Sequence, residues 1–243
     1  MNRWQGKRYW LVGASAGLGA ALARVLSHAG VHVILSARAA ARLQAVADGL
    51  PGPCDVVPMD VADDASVAKA AKAAGEIDGV VFLAGVYWPF SAAHWDADAA
   101  TAMADINFTG LVRVMGVVVP RMVERDAGHI VITGSLAGFR GLPGAIGYAA
   151  SKAGAMALAE SMYADLHRTG VKVQLASPGF IRTRLTDKNR FDMPFIMEPD
   201  AAARIIFKHM QTDYFARSFP TAFSWVFRLS RFLPNWVYNR IFT

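Results

Sequence analysis

The stretch RYWLVGASAGLGAALARVL, Arg8–Leu26, passes from a short apolar run through three glycines into a series of strong helix formers. Residues 8–13 have the composition of a short buried strand, and a helix is predicted over about 17–29. Gly13, Gly17 and Gly19 fall between them as G-x-x-x-G-x-G. Glycines here permit a tight turn and let backbone N–H groups and a helix N-terminus approach a pyrophosphate. Glycine also serves plain strand–helix turns, so the triplet alone decides little. Its place after the first strand and before the first helix favours a dinucleotide, with Ser15 and Leu18 of the same loop in the binding set.

Working outward, the alternation continues. Residues 31–37, 54–59, 78–85, 129–135 and 171–177 are further short runs rich in Val, Ile and Leu. They lack strict polar alternation, as parallel strands covered on both faces do. Helical patterns fill about 39–49, 63–74, 97–125 and 148–169. Repeated strand–helix units with right-handed crossovers give a Rossmann-type doubly wound parallel sheet flanked by helices. The expected organisation is one domain over 1–243, with a core over 1–200 and a hydrophobic, basic, amphipathic helical extension over about 201–243. Ligands of such sheets bind beyond the carboxyl ends of the strands.

An apolar fraction of 54% rules out a disordered chain. Cys54 is the one cysteine, so no intrachain disulfide forms and a cytoplasmic setting is expected. The six histidines do not cluster, and no metal site is expected. The first residues imitate a signal peptide, but their glycines follow the nucleotide pattern, so secretion is rejected. No uninterrupted apolar run reaches the roughly 18–20 residues of a membrane span. Of the net charge of +6, residues 204–243 supply +5, from six basic side chains and Asp213.

The second strand ends in Ala37-Arg38, where an NAD site usually places an acid on the adenosine ribose. An acid would repel a 2′-phosphate, whereas a guanidinium grips it with paired hydrogen bonds. NADP(H) is therefore favoured over NAD(H). Farther on, Asn107 lies in DINFTG, Ser135 ends the fifth strand in ITGSLAG, and Tyr148 and Lys152 stand one helical turn apart in GYAASKAG. Singly these are an ordinary buried amide, a turn serine and a surface pair.

Together with Gly13, Gly17 and Gly19, these four residues resemble the classical short-chain dehydrogenase/reductase (SDR) family over roughly residues 7–200. Asp60-Val61 resembles its adenine-contacting position, and PGFIRT (178–183) its segment after the sixth strand. The resemblance adds Ala84, Gly85, Pro178, Gly179, Ile181 and Thr183 to the cofactor set, with Thr183 at the nicotinamide end. It implies Tyr148 as general acid or base, Ser135 polarising the substrate oxygen, Lys152 on the nicotinamide ribose, and Asn107 holding a relay water. Val12 and Leu83-Ala84-Gly85 depart from the family's Thr-Gly and Asn-Ala-Gly, at positions that support the cofactor loops. Lys152 beside an oxidised nicotinamide is the expected source of a lowering of the phenol from ~10 by about 3 units, equivalent to ~4 kcal/mol of phenolate stabilisation.

Phe180, Leu185, Phe191, Met193, Phe195 and Met197 after the sixth strand suit a lid over an apolar ligand. Trp88, Phe90 and Phe139 lean the same way; no charged residue stands out as a carboxylate or phosphate clamp, Arg140, Arg182 and Arg184 being the arginines left as candidates. A small hydrophobic ketone, aldehyde or alcohol is the expected substrate. Drawn as one helix, the tail from Thr221 puts Thr221, Ser224, Arg228, Arg231 and Asn235 on a narrow polar stripe, with Phe, Trp, Leu and Val around the rest. Residues 215–243 are expected either to bury this surface in a homo-oligomer (dimer or tetramer) or to dock peripherally at the inner face of a membrane, the charge tilting toward lipid. Nucleic-acid binding is disfavoured, because the arginines are few and embedded in apolar residues. The competing readings are an NADP(H) sensor and a membrane-docked scaffold, both without turnover.

Overall fold

A computed structural model describes residues 3–189 and 191–242; Thr243, which ends the extension, lies outside them. Seven parallel strands form the sheet: β1 Arg8–Val12, β2 His32–Ser36, β3 Cys54–Val56, β4 Gly79–Phe82, β5 Gly128–Thr133, β6 Val171–Pro178 and β7 Ala216–Phe219. Their order is β3-β2-β1-β4-β5-β6-β7. The chain winds outward from β1 to β3, then returns to lay β4 on the other side of β1. That reversal opens a crevice at the carboxyl ends, where Val12 pairs with both Ser36 and Phe82.

The helices are α1 Gly17–His28, α2 Ala40–Ala47, α3 Asp64–Ala74, α4 Ala97–Ala104, α5 Gly110–Glu124, α6 Ile146–Leu166, α7 Pro199–Met210, α8 Thr221–Ser230 and α9 Asn235–Phe242. Both faces of the sheet are buried, which explains the apolar character of each strand. Trp10, Val12, Ile34, Val80, Phe82 and Ile132 pack with Val67, Leu111, Val114 and Met156 on one side. Leu11, Val33, Leu35, Val81 and Val131 pack with Leu22, Leu26, Leu43, Ala202 and Ile206 on the other.

Three features differ from the sequence reading. The helix expected over 97–125 is continuous, but residues Asp105–Thr109 form a π-helical turn between α4 and α5. Such a turn inserts a residue and re-aims the side chains within it; Asn107 is one of these and is fully buried. By length and composition alone, 97–124 could cross a membrane; Leu111, Val114 and Val118 instead pack it into the sandwich. Second, the sheet does not end with β6: α7 packs on α1 and β7 adds an edge strand, so the core runs through Phe219. Third, the tail is two helices, not one, with Pro234 in the turn between them; Pro lacks the N–H a continuing helix needs. The supposed polar stripe is also partly inward, since Ser224 on it is buried while the apolar Trp225, Leu229 and Phe232 are exposed.

Candidate active site

A cleft of about 690 Å³ runs along the carboxyl ends of the strands. Its walls include Gly13, Ser15, Gly17, Leu18, Gly19, Arg38, Asp60, Val61, Ala84 and Gly85. Tyr148, Lys152, Pro178, Gly179, Ile181 and Thr183 continue the same lining. The residues picked for the cofactor thus come from six segments of the chain into one groove.

The loop is built for close approach. Gly13 sits at φ +100°, and a Cβ there would lie 2.5 Å from Ala84 N. A Cβ on Gly19 would lie 2.1 Å from Gly13 O, so helix and turn touch backbone to backbone. Leu83, standing where the family has Asn, and Ala84 form the shelf against Gly13, and Leu83 N donates to Val12 O at 2.7 Å. The N-cap Ala16 offers α1 no side-chain acceptor, and its first turn holds no acid. The first N–H groups of α1 therefore remain for an anion at the positive end of the helix dipole.

At the adenosine end, Arg38 and Arg42 both line the cleft and both are exposed. Neither is ion-paired to a carboxylate among the described residues. Arg42 escaped the sequence reading; its signal was the i, i+4 spacing from Arg38 on the helix that follows β2. Asp60 Oδ1 accepts from Ala62 N at 3.0 Å, which fixes its side chain at the rim.

The four candidate catalytic residues converge. Ser135 caps the short 3-10 turn Leu136–Gly138, its Oγ accepting from Ala137 N at 3.2 Å. Tyr148 and Lys152 lie in the first two turns of α6. Lys152 Nζ donates to Thr133 O at 3.0 Å. Burial pushes this ammonium down to about 8. Without a nucleotide, burial governs the phenol. Burial pushes Tyr148 up, a hydrogen bond with Ser135 opposes that rise, and Tyr87 adds to it. Lys152 is not among the groups shifting it; its Nζ stands 5.9 Å from the Tyr148 ring centroid and is held by Thr133. In the protein alone, desolvation outweighs the neighbouring charge.

Asn107 also differs from expectation. Its Oδ1 accepts from Val86 N at 2.7 Å, and its Nδ2 donates to Val86 O at 2.9 Å and Ser151 Oγ at 3.1 Å. The amide is thus spent on clamping the loop after β4, beside Gly85 and Lys152.

A second cavity of about 480 Å³ opens from Ser135 and Tyr148. Leu136, Leu142, Pro143, Phe180, Leu185, Phe191, Phe223, Val226 and Phe227 line it, and Asp192 is its one charged residue among those described. Phe180, Leu185 and Phe191 fall where the lid reading placed them. Met193, Phe195, Met197, Trp88, Phe90 and Phe139 do not line it. Trp88 instead lies under Lys188 Nζ at 4.2 Å, and Phe90 meets Trp95 edge-on. Of the candidate clamps, Arg182 pairs with Glu198, Arg184 faces the nucleotide cleft, and Arg140 turns to the C-terminal helices. The wall from α8 and Tyr87, whose ring meets the Tyr148 ring edge-on at 5.2 Å, were missed in the sequence. The i, i+3, i+4 spacing of Phe223, Val226 and Phe227 was the available signal.

A doubly wound parallel sheet whose crevice carries this glycine loop defines a nucleotide-dependent oxidoreductase architecture. The chain belongs to the short-chain dehydrogenase family, whose model matches residues 7–194. It is 38% identical over 233 residues to an uncharacterized oxidoreductase of Myxococcus xanthus, covering 93% of this chain and 92% of that one. An uncharacterized oxidoreductase of Staphylococcus epidermidis is 33% identical over 185 residues, covering 74% and 80%. Among solved structures, a short-chain dehydrogenase from Sphingobium yanoikuyae in complex with NADPH superposes with a TM-score of 0.82 at 26% identity, over 90% of this chain and 91% of that one. One from Burkholderia phymatum in complex with NAD shares the fold, with a TM-score of 0.86 at 24% identity over 95% and 94%.

Proposed function

We propose that the protein is an NADP(H)-dependent carbonyl reductase or alcohol dehydrogenase acting on a hydrophobic ketone, aldehyde or alcohol. The observation that carries this is the meeting of two cavities at Tyr148: the nucleotide cleft on one side and an apolar chamber on the other. The bound nicotinamide supplies hydride in reduction and accepts it in oxidation. In reduction the carbonyl carbon gains that hydride and its oxygen takes one proton from Tyr148 Oη. Ser135, which lines the same chamber as the phenol, polarises the same oxygen. Lys152 holds the ribose and, with the oxidised ring's charge, brings the phenol into the working range. Asn107 acts as a positioning residue, fixing the Val86 loop and hence the floor where a proton-relay water is held.

Arg38 and Arg42, with no acid at the end of β2, support a 2′-phosphate and so NADP(H). The exposed Val112 and Val123 on α5 support assembly as a homo-oligomer, and the C-terminal helices support peripheral contact with the inner face of a membrane. The test is oxidation of NADPH and NADH over a panel of apolar ketones. Turnover with NADPH preferred supports the reading. Tight NADPH binding without turnover of any ketone or alcohol would leave a sensor.

A further inference from the structure

We propose that the apolar chamber opens toward an anionic lipid surface held by the C-terminal helices α8 and α9, so that the enzyme draws its substrate directly from a bilayer. This rests on the reading of the chamber as the site for a hydrophobic carbonyl or alcohol.

Helix α8 has two working faces. Phe223, Val226 and Phe227 line the chamber, while Trp225 and Leu229 point away from it, about half exposed. The outward surface continues through Phe232, 84% exposed, and Trp236, 74% exposed. The two surfaces meet at the mouth. Val226 lines the chamber and is 49% exposed, and Phe191 on the opposite lip lines it and is 56% exposed. Phe195 extends that lip, packing on Phe223 at 5.4 Å. The exposed part of the chamber lining is thus largely apolar, with Asp192 its one charged residue among those described.

The charge identifies what covers that patch. From Tyr214 to Thr243 the chain carries four arginines and no acid. Arg228 turns inward, donating to Ser218 Oγ at 3.2 Å. Arg231 and Arg240 stay exposed on this segment. Exposed Trp and Phe beside arginines fit the headgroup boundary of an anionic membrane, where rings insert and guanidiniums meet phosphates. A second copy of this surface would bring Arg231 and Arg240 against their own copies, with Asp192 at the chamber lip the one nearby acid among the lining residues.

The C-terminal helices are also tied to the catalytic loop. Arg140, five residues after Ser135, donates to Leu233 O at 2.9 Å and to Asn235 Oδ1 at 2.7 Å, and lies over the Tyr238 ring at 3.9 Å. C-terminal helices seated on lipid are thus held in register with the chamber wall.

The test uses the full chain and its Phe232→Ser/Trp236→Ser variant, whose positions lie outside both cavities. Sedimentation with phosphatidylcholine vesicles, with and without phosphatidylglycerol, is paired with reduction of a long-chain ketone carried in the vesicles and of a short, water-soluble one. The wild type is expected to bind phosphatidylglycerol vesicles at least about tenfold better than phosphatidylcholine alone. The variant should lose that binding and about tenfold of its kcat/KM for the vesicle-borne ketone, with the short ketone unchanged. Wild type that stays in the supernatant with both vesicles overturns the proposal. So does a variant that binds vesicles normally but converts a dimer to a monomer in light scattering, which assigns the patch to a second copy. Vesicle binding lost in the variant with no ketone reduced by either protein overturns the substrate route and the catalytic reading, leaving the docking itself standing.

Discussion

Replacing Lys152 by Met should make the nucleotide-free protein more stable while removing its activity. The ammonium is buried and held down to about 8 from an ordinary 10.5 by desolvation. That gap corresponds to roughly 3 kcal/mol of penalty on the charged form at neutral pH. Met removes the charge but leaves Thr133 O without its donor, which costs about 1 kcal/mol. The net expectation is a gain of about 2 kcal/mol, or roughly 4–8 °C in Tm for a chain of this size. The pH dependence gives an independent check. Between the folded value near 8 and the unfolded 10.5, the unfolded chain binds the extra proton, so wild-type stability rises with pH across that window. The penalty is fully present below pH ~8 and relieved above pH ~10, and the variant should lack this rise. Urea unfolding in nucleotide-free buffer at neutral pH and again above pH ~9 reads both effects. A variant no more stable than wild type at neutral pH, with the same rise toward alkaline pH, would refute the reasoning. Function here works against stability, because the groove keeps a charge in a place that disfavours it.

Arg38→Ala with Arg42→Ala should weaken NADPH binding by about 10–100-fold, the loss of charge-assisted bonds to a phosphate, and leave NADH binding unchanged; fluorescence titration distinguishes the two. Gly19→Ala forces a Cβ to within 2.1 Å of Gly13 O, so it should cost about 2–3 kcal/mol in chemical denaturation and abolish nucleotide binding. Arg140→Ala should free the C-terminal helices at a cost of about 2 kcal/mol, seen as faster proteolytic cleavage within residues 221–242, and raise KM for apolar ketones more than it lowers kcat.

The fold was legible where both sheet faces are buried, because β1, β2, β4 and β5 then carry unbroken apolar runs, whereas β6 is interrupted by Lys172 and Gln174. Strand β7, Ala216–Phe219, was not: it is a four-residue edge strand carrying Arg217 and Ser218, with nothing to separate it from a loop. The glycine loop, Ser135, Tyr148 and Lys152 were legible because each is a chemical type at a fixed offset from an element end. Their electrostatics were not. Whether the phenol is pushed up by burial or down by the ammonium depends on where Lys152 points, and Thr133 O decides that from nineteen residues away. The π-helical turn at Asn107 was likewise invisible to a helical periodicity that it only locally disturbs. In the tail, the apolar excess was plain, but the inward side of α8 includes the buried Ser224, which a polarity stripe puts on the wrong face.

The direct measurement is single-turnover NADPH oxidation by Tyr148→Phe, with NADPH binding followed in the same samples. The variant should bind NADPH as wild type does and transfer hydride at least about a thousandfold more slowly. Turnover at the wild-type rate, or loss of binding in step with loss of activity, would contradict the assignment of the proton to this phenol.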